Sequence, residues 1–489
     1  MKKAKQASLG MNFLMNSILT MSSLIFPLIT FPYVSRVLEA DGLGKIQLAT
    51  SVVNYFLLFS QLGLPTYGVR VCAVVRDDRE KLSRTAHELV LINVIMTVIS
   101  YGVFFAMVSG VTKFAQERTM YLITSSTIFL NMIGMQWLFK ALEQYTYITI
   151  RSVAFKFLSV IAMFLLVHKK EDYVIYSAIT VLASAGSNLI NLTQMRKYIN
   201  LKPAGHLELK KHIRPLFVFF AMTCAATIYT NLDSVMLGFI ATDADVGYYS
   251  AAVKIKNILV CVISALGTVI MPRVSYYFER KMINEFWEVI AKVFRFVVIM
   301  ATPLTLYFIF FARNGIYFLS GASYEPAVAP MIAIMPTLIF IGLTSVMGLQ
   351  ILVPMGRENV VLRSYIVGAV VDCIVNALLI PKMQALGAAI GTLVAEVCVF
   401  AVQYYALRDE VREYFRSLGI LRLIIALGVA LASSFWVSAL RISDFWILAI
   451  SAVIFFSVYA ISLYLAKEPL IIEVVAMGRT KLLKLMKKQ

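Results

Sequence analysis

Ionisable residues set within long apolar stretches are the places where this 489-residue chain has chemistry to perform. They are few: Lys156, Asp233, Lys254, Lys256, Asp372 and Glu396, with Arg36, Arg151, Arg313 and Arg363 near the ends of such stretches. A charge at the centre of a bilayer-spanning helix costs roughly 2.5 to 3.5 kcal/mol on the insertion scale, so each must face a cavity, a partner or the interface. Asp233 and Lys254 stand at matching sequence distances either side of the acidic turn from Asp243 to Asp245. An antiparallel hairpin therefore places both about 10 Å inside its end, either as a structural ion pair or with a role in transport. Asp372 and Glu396 are placed alike about a turn at Lys382. That suits an ion-coupling pair of carboxylates; satisfaction by Asn376, serines and backbone groups is the other reading.

No catalytic pattern accompanies these charges. His87, His168, His206 and His212 have no HExxH or other metal-binding spacing, and neither a phosphate-binding glycine loop nor a GxSxG elbow occurs. The five cysteines, Cys72, Cys224, Cys261, Cys373 and Cys398, show no CxxC spacing, so no metal, cofactor or disulfide framework is expected. The chain reads as a non-enzyme.

The elements that must position the charges are helices. The sequence is 60% hydrophobic and 15% charged, with a mean hydropathy of +0.80. Runs of about 20 apolar residues recur about fourteen times, and backbone groups in hydrocarbon must be satisfied within each span. The expected fold is all-α and polytopic, with helices at roughly 13–35, 46–67, 87–110, 119–139, 152–168 and 173–194 in the first half. Roughly 215–240, 247–272, 289–312, 328–354, 360–381 and 385–407 follow, then a last pair near 418–440 and 443–466. Pro27 and Pro32 in the first span, and Pro330 and Pro336 in the tenth, remove backbone bonds and are the expected kinks.

The formal charge of +18 is distributed by side. Lys and Arg favour one set of alternate loops and both ends by roughly three to one, which makes both termini cytoplasmic and makes a nucleic-acid partner unnecessary. The first span is longer than a signal-peptide core and reads as retained. Two segments mixing apolar and charged residues at helical spacing, Tyr276 to Phe296 and Leu470 to Met486, read as interfacial surface helices on the cytoplasmic side.

An internal repeat organises the whole. "VSRVLEADGLGKIQLATS" (34–51) aligns without a gap on "LGFIATDADVGYYSAAVK" (237–254), matching Gly44 to Gly247 and Ala49 to Ala252. An even number of spans separates the copies, so both enter the membrane in the same direction, as in parallel-repeat transporters. The expected domains are a six-helix bundle at 1–200, a second at 201–410, two further helices at 411–466 and a basic tail at 467–489. Two such bundles rocking about a central site would give alternating access.

The stretches "FPYVSRVLEADGLGKIQLATSVVNYF" (31–56), "LGLPTYGVR" (62–70), "LDSVMLGFIATDADVGYYSAAVKI" (232–255) and "LGAAIGTLVAE" (386–396) resemble the polysaccharide transporter family. The match is to Wzx-like O-antigen or repeat-unit flippases, within the multidrug, oligosaccharidyl-lipid and polysaccharide exporter superfamily. The resemblance implies export of a polyprenyl-diphosphate-linked oligosaccharide across a bacterial inner membrane through a cavity between two bundles. It implies that cations meet the diphosphate, with Arg36, Asp233 and Lys254 carried over by motif position. On chemistry alone Arg151, Lys156 and Arg313 join the cationic set, because Arg and Lys both suit phosphate oxygens. Asp233, Asp372 and Glu396 are the ion-coupling or ion-pair set, for H+ or Na+, and other polysaccharide assembly proteins are possible partners. A multidrug exporter of the same superfamily and a membrane-embedded polymerase or ligase are the alternatives; the short outward segment from Arg313 to Ala327 counts against the enzyme.

Overall fold

The computed structural model describes residues 9–200, 207–416, 419–473 and 475–476, and among them every regular element is helical. In chain order the α-helices are α1 (Leu9–Gln61), α2 (Leu64–Val74), α3 (Arg79–Gly110), α4 (Thr112–Gln116), α5 (Arg118–Gly134), α6 (Gln136–Ala141), α7 (Tyr145–Leu166), α8 (Tyr173–Val181), α9 (Asn188–Met195) and α10 (Lys210–Ile240). There follow α11 (Asp243–Glu279), α12 (Ile283–Phe310), α13 (Ala312–Ser320), α14 (Val328–Ile334), α15 (Thr337–Ser345), α16 (Glu358–Ala406), α17 (Arg408–Arg416), α18 (Ile420–Phe435) and α19 (Asp444–Leu465). A π turn at Leu182–Gly186 joins α8 to α9, and a second at Val346–Leu352 extends α15.

Among the described residues nine helical segments are long and apolar enough to cross a membrane, or ten if the bent pair Ala322–Ile334 and Thr337–Leu352 is one span. The chain is a multi-pass membrane protein. Two of those segments hold more than one crossing: α1, at about 1.5 Å per residue, is roughly 80 Å long, against a hydrocarbon core of about 30 Å. It turns at Glu39 (φ 57°, ψ −173°). The 49-residue α16 turns likewise at Gln384 (φ 49°, ψ −127°). Fourteen spans are compatible with this arrangement.

Backbone angles stay helical through Pro27 and Pro32, so the first break is at Glu39 and not at the prolines. The later expectation holds in part: α14 and α15 are bent by 45° at Met335 and Pro336. The surface helix expected at Tyr276 to Phe296 does not form. Its first residues end α11, and the rest open the 28-residue α12, where Phe286, Ile290, Val293 and Phe294 are buried. Of the charges that suggested an interface, Glu285 and Glu288 occupy the other face of α12 together with Lys292, which pairs with Glu288 and Glu473. Most of the expected tail helix lies outside the described residues.

Two compact units divide the chain, Met1–Gly247 and Tyr248–Gln489. In the first, α1 packs on α3, α5, α7 and α10, and α2 packs on α6. One end is closed by Leu62, Leu64, Tyr67, Leu89, Trp137, Leu138 and Leu216, with the Trp137 ring laid on Gly68. In the second, α12 and α14 to α16 form the core, and α19 docks on α12 through the Tyr307 hydroxyl, which donates to the Leu448 carbonyl (2.8 Å), and Tyr459, which donates to that of Ile299 (3.1 Å). Large aliphatic side chains such as Val98, Leu165, Ile424 and Val453 remain exposed on both units. Apolar exposure on that scale fits lipid as the solvent.

Candidate transport site

In the first unit, α7 carries two of the expected cations and holds them differently. Arg151 is 5% exposed. Its Nη1 donates to the Ser187 carbonyl (2.6 Å), the Ser187 hydroxyl (3.2 Å) and Asn188 Oδ1 (3.2 Å), and the guanidinium lies 5.5 Å from the Tyr147 ring centroid. The π turn ending at Gly186 brings that carbonyl within reach, since a π turn disturbs the regular backbone ladder. Nε and Nη2 are enclosed without an acceptor, and among the described residues no carboxylate pairs with this cation. The guanidinium is thus held by neutral oxygens.

Lys156 faces the other way. Its Nζ donates to Ser22 Oγ (2.9 Å) and Ser23 Oγ (2.7 Å) of α1, and Thr149 Oγ1 donates to the Met15 carbonyl (2.8 Å). Thr149, Ser152 and Lys156 follow a three-then-four spacing, so one polar stripe of α7 meets the first half of α1. Arg36 lies fourteen residues beyond Ser22, roughly 20 Å along the helix. It is exposed and reaches back to the Pro32 carbonyl. The structure thus brings Lys156 and Arg151 onto one helix and leaves Arg36 on another level of α1.

Asp233 is buried in α10, seven residues before its end. The turn after it falls at Ala241 and Thr242, earlier than expected, because Thr242 and Asp245 cap α11: the Thr242 N–H (3.1 Å) and hydroxyl (2.6 Å) donate to Asp245 Oδ2, and the Asp245 N–H donates back to Thr242 Oγ1 (3.2 Å). Lys254 therefore stands eleven residues into α11, half-buried.

In the second unit the two arms of α16 form a buried polar seam. Asp372 and Glu396 each stand twelve residues from the Gln384 turn, two residues later than the turn expected at Lys382, and are 1% and 7% exposed. The arms close tightly at Gly391, where any Cβ would run into the Asn376 amide and lie 3.3 Å from Asp372 Oδ1. Tyr249 and Thr392 share a hydroxyl–hydroxyl bond (2.9 Å), and Gln403 Nε2 donates to Ser364 Oγ (3.0 Å). Arg313 lies outside this seam: it is exposed, pairs with Glu325 (3.4 Å) and donates to the Tyr317 hydroxyl (3.2 Å). Among the described residues no three His, Cys, Asp or Glu side chains converge as metal ligands.

The profile of the family described as "Polysaccharide biosynthesis protein" matches residues 9–278, more than half of the chain. The chain belongs to that polysaccharide biosynthesis family. An Escherichia coli (strain K12) protein named as a candidate O-antigen transporter is 22% identical over 407 residues, covering 82% of this chain and 97% of that one. A Shigella dysenteriae protein of the same name is 22% identical over 381 residues, covering 77% and 94%. Among solved structures, that of the lipid II flippase MurJ in an inward closed conformation superposes with a TM-score of 0.73 at 16% identity, covering 94% of this chain and all of that one. The resemblance read from the four sequence stretches is thereby established, and this member of the polysaccharide biosynthesis family has a MurJ-like fold. Its matched segment holds Arg36, Arg151, Lys156, Asp233 and Lys254, whereas Arg313, Asp372 and Glu396 lie beyond it.

One cluster in this family member escaped the sequence reading. Glu88 of α3 is fully buried, as is nearly all of His212 at the start of α10. His212 Nε2 meets Glu88 Oε2 (2.8 Å) and Nδ1 meets the Tyr67 hydroxyl (2.8 Å). Lys211 Nζ pairs with Glu88 (2.9 Å), the Glu208 N–H donates to Glu88 Oε1 (2.8 Å), and Arg84 bridges Glu88 (3.4 Å) and Glu208 (3.1 Å). His212 stands more than a hundred positions from both Tyr67 and Glu88, so no spacing signal joins them. The single hint was an acid, Glu88, just inside the third predicted span.

Proposed function

We propose that the protein is a flippase that moves polyprenyl-diphosphate-linked oligosaccharide repeat units from the cytoplasmic to the outer leaflet by alternating access, supplying cell-surface polysaccharide synthesis. The observation that carries this reading is the nearly full-length correspondence with the E. coli protein named for O-antigen transport. The likeness in fold to a lipid II flippase supports it. The physical need is plain: a diphosphate placed in hydrocarbon would cost tens of kcal/mol by Born solvation, so a wet, positively lined path must replace water. Arg36, Arg151, Lys156, Lys254 and Arg313 are its proposed cations, and the prenyl tail stays in lipid.

Asp233, Asp372 and Glu396 are the proposed ion-coupling groups, with H+ or Na+ as the driving ion. The two six-helix bundles, 1–200 and 201–410, are the proposed moving bodies, with 411–466 as two added helices and 467–489 as a cytoplasmic tail. The protein would sit in a bacterial inner membrane with both termini cytoplasmic, beside other polysaccharide assembly proteins, and no covalent bond of the cargo changes. A leaflet-resolved assay in proteoliposomes tests this. Defined lipid-linked oligosaccharide, accessible at first from one side only, should become accessible from the other when the protein is present. Unchanged sidedness over empty liposomes sinks the reading.

A further inference from the structure

The Tyr67–His212–Glu88 chain fixes its own protonation pattern. Glu88 receives the Glu208 N–H, Lys211 and His212 and lies beside Arg84, so it is an ionised acceptor with no proton to give. The hydrogen between Glu88 and His212 must then sit on Nε2. That leaves Nδ1 as the acceptor for the Tyr67 hydroxyl, and in this neutral tautomer every group of the chain is satisfied.

Among the described residues, the charged and titratable groups around the Tyr67–His212 pair lie on three elements. Tyr67, Arg70 and Cys72 come from α2, Arg84 and Glu88 with neighbouring His87 from α3, and Glu208 and Lys211 from the run into α10. Two carboxylates, Glu88 and Glu208, are already balanced by Arg84 and Lys211 within the cluster. A proton added to His212 makes Nδ1 a donor, reverses its bond with Tyr67 and obliges the tyrosine to turn its own hydrogen away, within an apolar cluster that includes Leu64, Leu216 and Phe219. Water reaches the cluster's edge, because the Glu208 and Lys211 side chains are 62% and 44% exposed.

We propose that His212 is a proton-binding site, and that proton uptake at Nδ1 reverses the Tyr67 bond, strands the tyrosine hydrogen in an apolar setting and so loosens the start of α10 from α2. The same helix carries Asp233, so a proton taken up here acts on an element of the proposed transport path; this last step rests on the flippase reading. The tie is local: α10 is also held at this end by the Glu88 contacts of Lys211 and His212 and by the backbone packing of Leu216, Phe219 and Phe220 on Gly63, which has φ +75°.

Hydrogen–deuterium exchange of the full chain in nanodiscs, between pH 8 and 5.5 and corrected for intrinsic rates, tests the site without any cargo. Peptides covering 207–216 should exchange about tenfold faster at the lower pH, a 1.4 kcal/mol change in opening, while peptides from α18 stay unchanged. Tyr67→Phe keeps the ring and should exchange fast at both pH values; His212→Gln should remove the pH response. Equal protection of 207–216 at both pH values in the unaltered protein overturns the proposal, as does a pH response that survives His212→Gln. Should His212→Gln not fold, Tyr67→Phe decides: an unaltered pH response there also overturns it. Failure of cargo movement with the exchange result intact would strike the flippase reading and spare the proton site.

Discussion

Gly44 and Gly247, paired by the sequence repeat, pack against each other's copy: Gly44 lies on the Asp243 carbonyl and Gly247 on the Ala40 carbonyl. Ala40 and Asp243 are themselves repeat equivalents, so the contact is reciprocal, as at a local two-fold. Both copies also break their helices at nearly the matching place, Glu39 in one and Ala241 and Thr242 in the other, where Thr242 is the equivalent of Glu39. Only glycine permits backbones this close.

A methyl group at either glycine would overlap backbone that cannot yield. Gly44→Ala and Gly247→Ala should each destabilise by about 1 to 3 kcal/mol. Thermal unfolding in detergent checks this against Gly428→Ala, where a Cβ meets open space and the midpoint should hold. Equal midpoints for all three would remove the contact from any structural role.

Beside that contact, Lys113 pairs with Asp243 (2.8 Å) and donates to the Gly238 carbonyl, tying α4 to the turn between α10 and α11. Both side chains are partly exposed, so the pair is expected to contribute about 0.5 to 1 kcal/mol, or some 1 to 3 °C in the midpoint. Lys113→Met should show that loss, and the exchanged pair Lys113→Asp with Asp243→Lys should recover part of it. A double-mutant cycle with zero coupling contradicts the tie.

Arg151 holds Ser187 and Asn188 through Nη1 while its planar guanidinium lies beside the Tyr147 ring, a geometry lysine does not reproduce. Arg151→Lys should loosen the π turn and α9, costing about 1.5 to 3 kcal/mol. Faster amide exchange confined to residues 182–195 is the expected signature. If protection there is unchanged while cargo movement falls, the residue serves the cargo and not the fold.

For the seam in α16, Asp372→Asn and Glu396→Gln keep size while removing charge. Each should lower ion-driven transport about tenfold or more, with folded protein still recovered, in the same leaflet-resolved assay. Full activity in both would take these carboxylates out of the coupling scheme. Gly391→Ala should instead reduce the yield of folded protein, because its methyl meets Asn376.

Asp78 provides a pH prediction outside the membrane spans. The Lys81 N–H, donated to its side chain first of all, together with the Lys81 ammonium and the Glu80 N–H, holds its carboxyl below the usual carboxylate range. A depressed folded value means the capping stabilisation is full above the unfolded value near 3.9 and is lost as pH falls through the folded one. Exchange at the start of α3 should therefore be flat from pH 8 to 5 and rise only below about pH 4. Asp78→Ala should show the faster exchange at every pH.

Hydrophobicity by itself determined the all-helical membrane fold, since a chain in hydrocarbon must satisfy its backbone within each span. The repeat was legible as well, because Gly44 and Gly247 are fixed by backbone approach and leave a local trace. The intramembrane charges stood out by cost, and Asp372 and Glu396 were placed symmetrically with only the turn shifted, from Lys382 to Gln384. Tertiary structure decided what each charge touches. Lys156 meets serines of α1, Arg151 meets a carbonyl presented by a π turn, and Arg313 pairs at the surface with Glu325. It also turned Tyr276 to Phe296 from an expected surface helix into the base of α12, and it gathered Tyr67, Glu88 and His212 from three distant segments. Periodicity records which face of a helix is apolar; the partner on that face is set by long-range packing, to which no short spacing in the sequence corresponds.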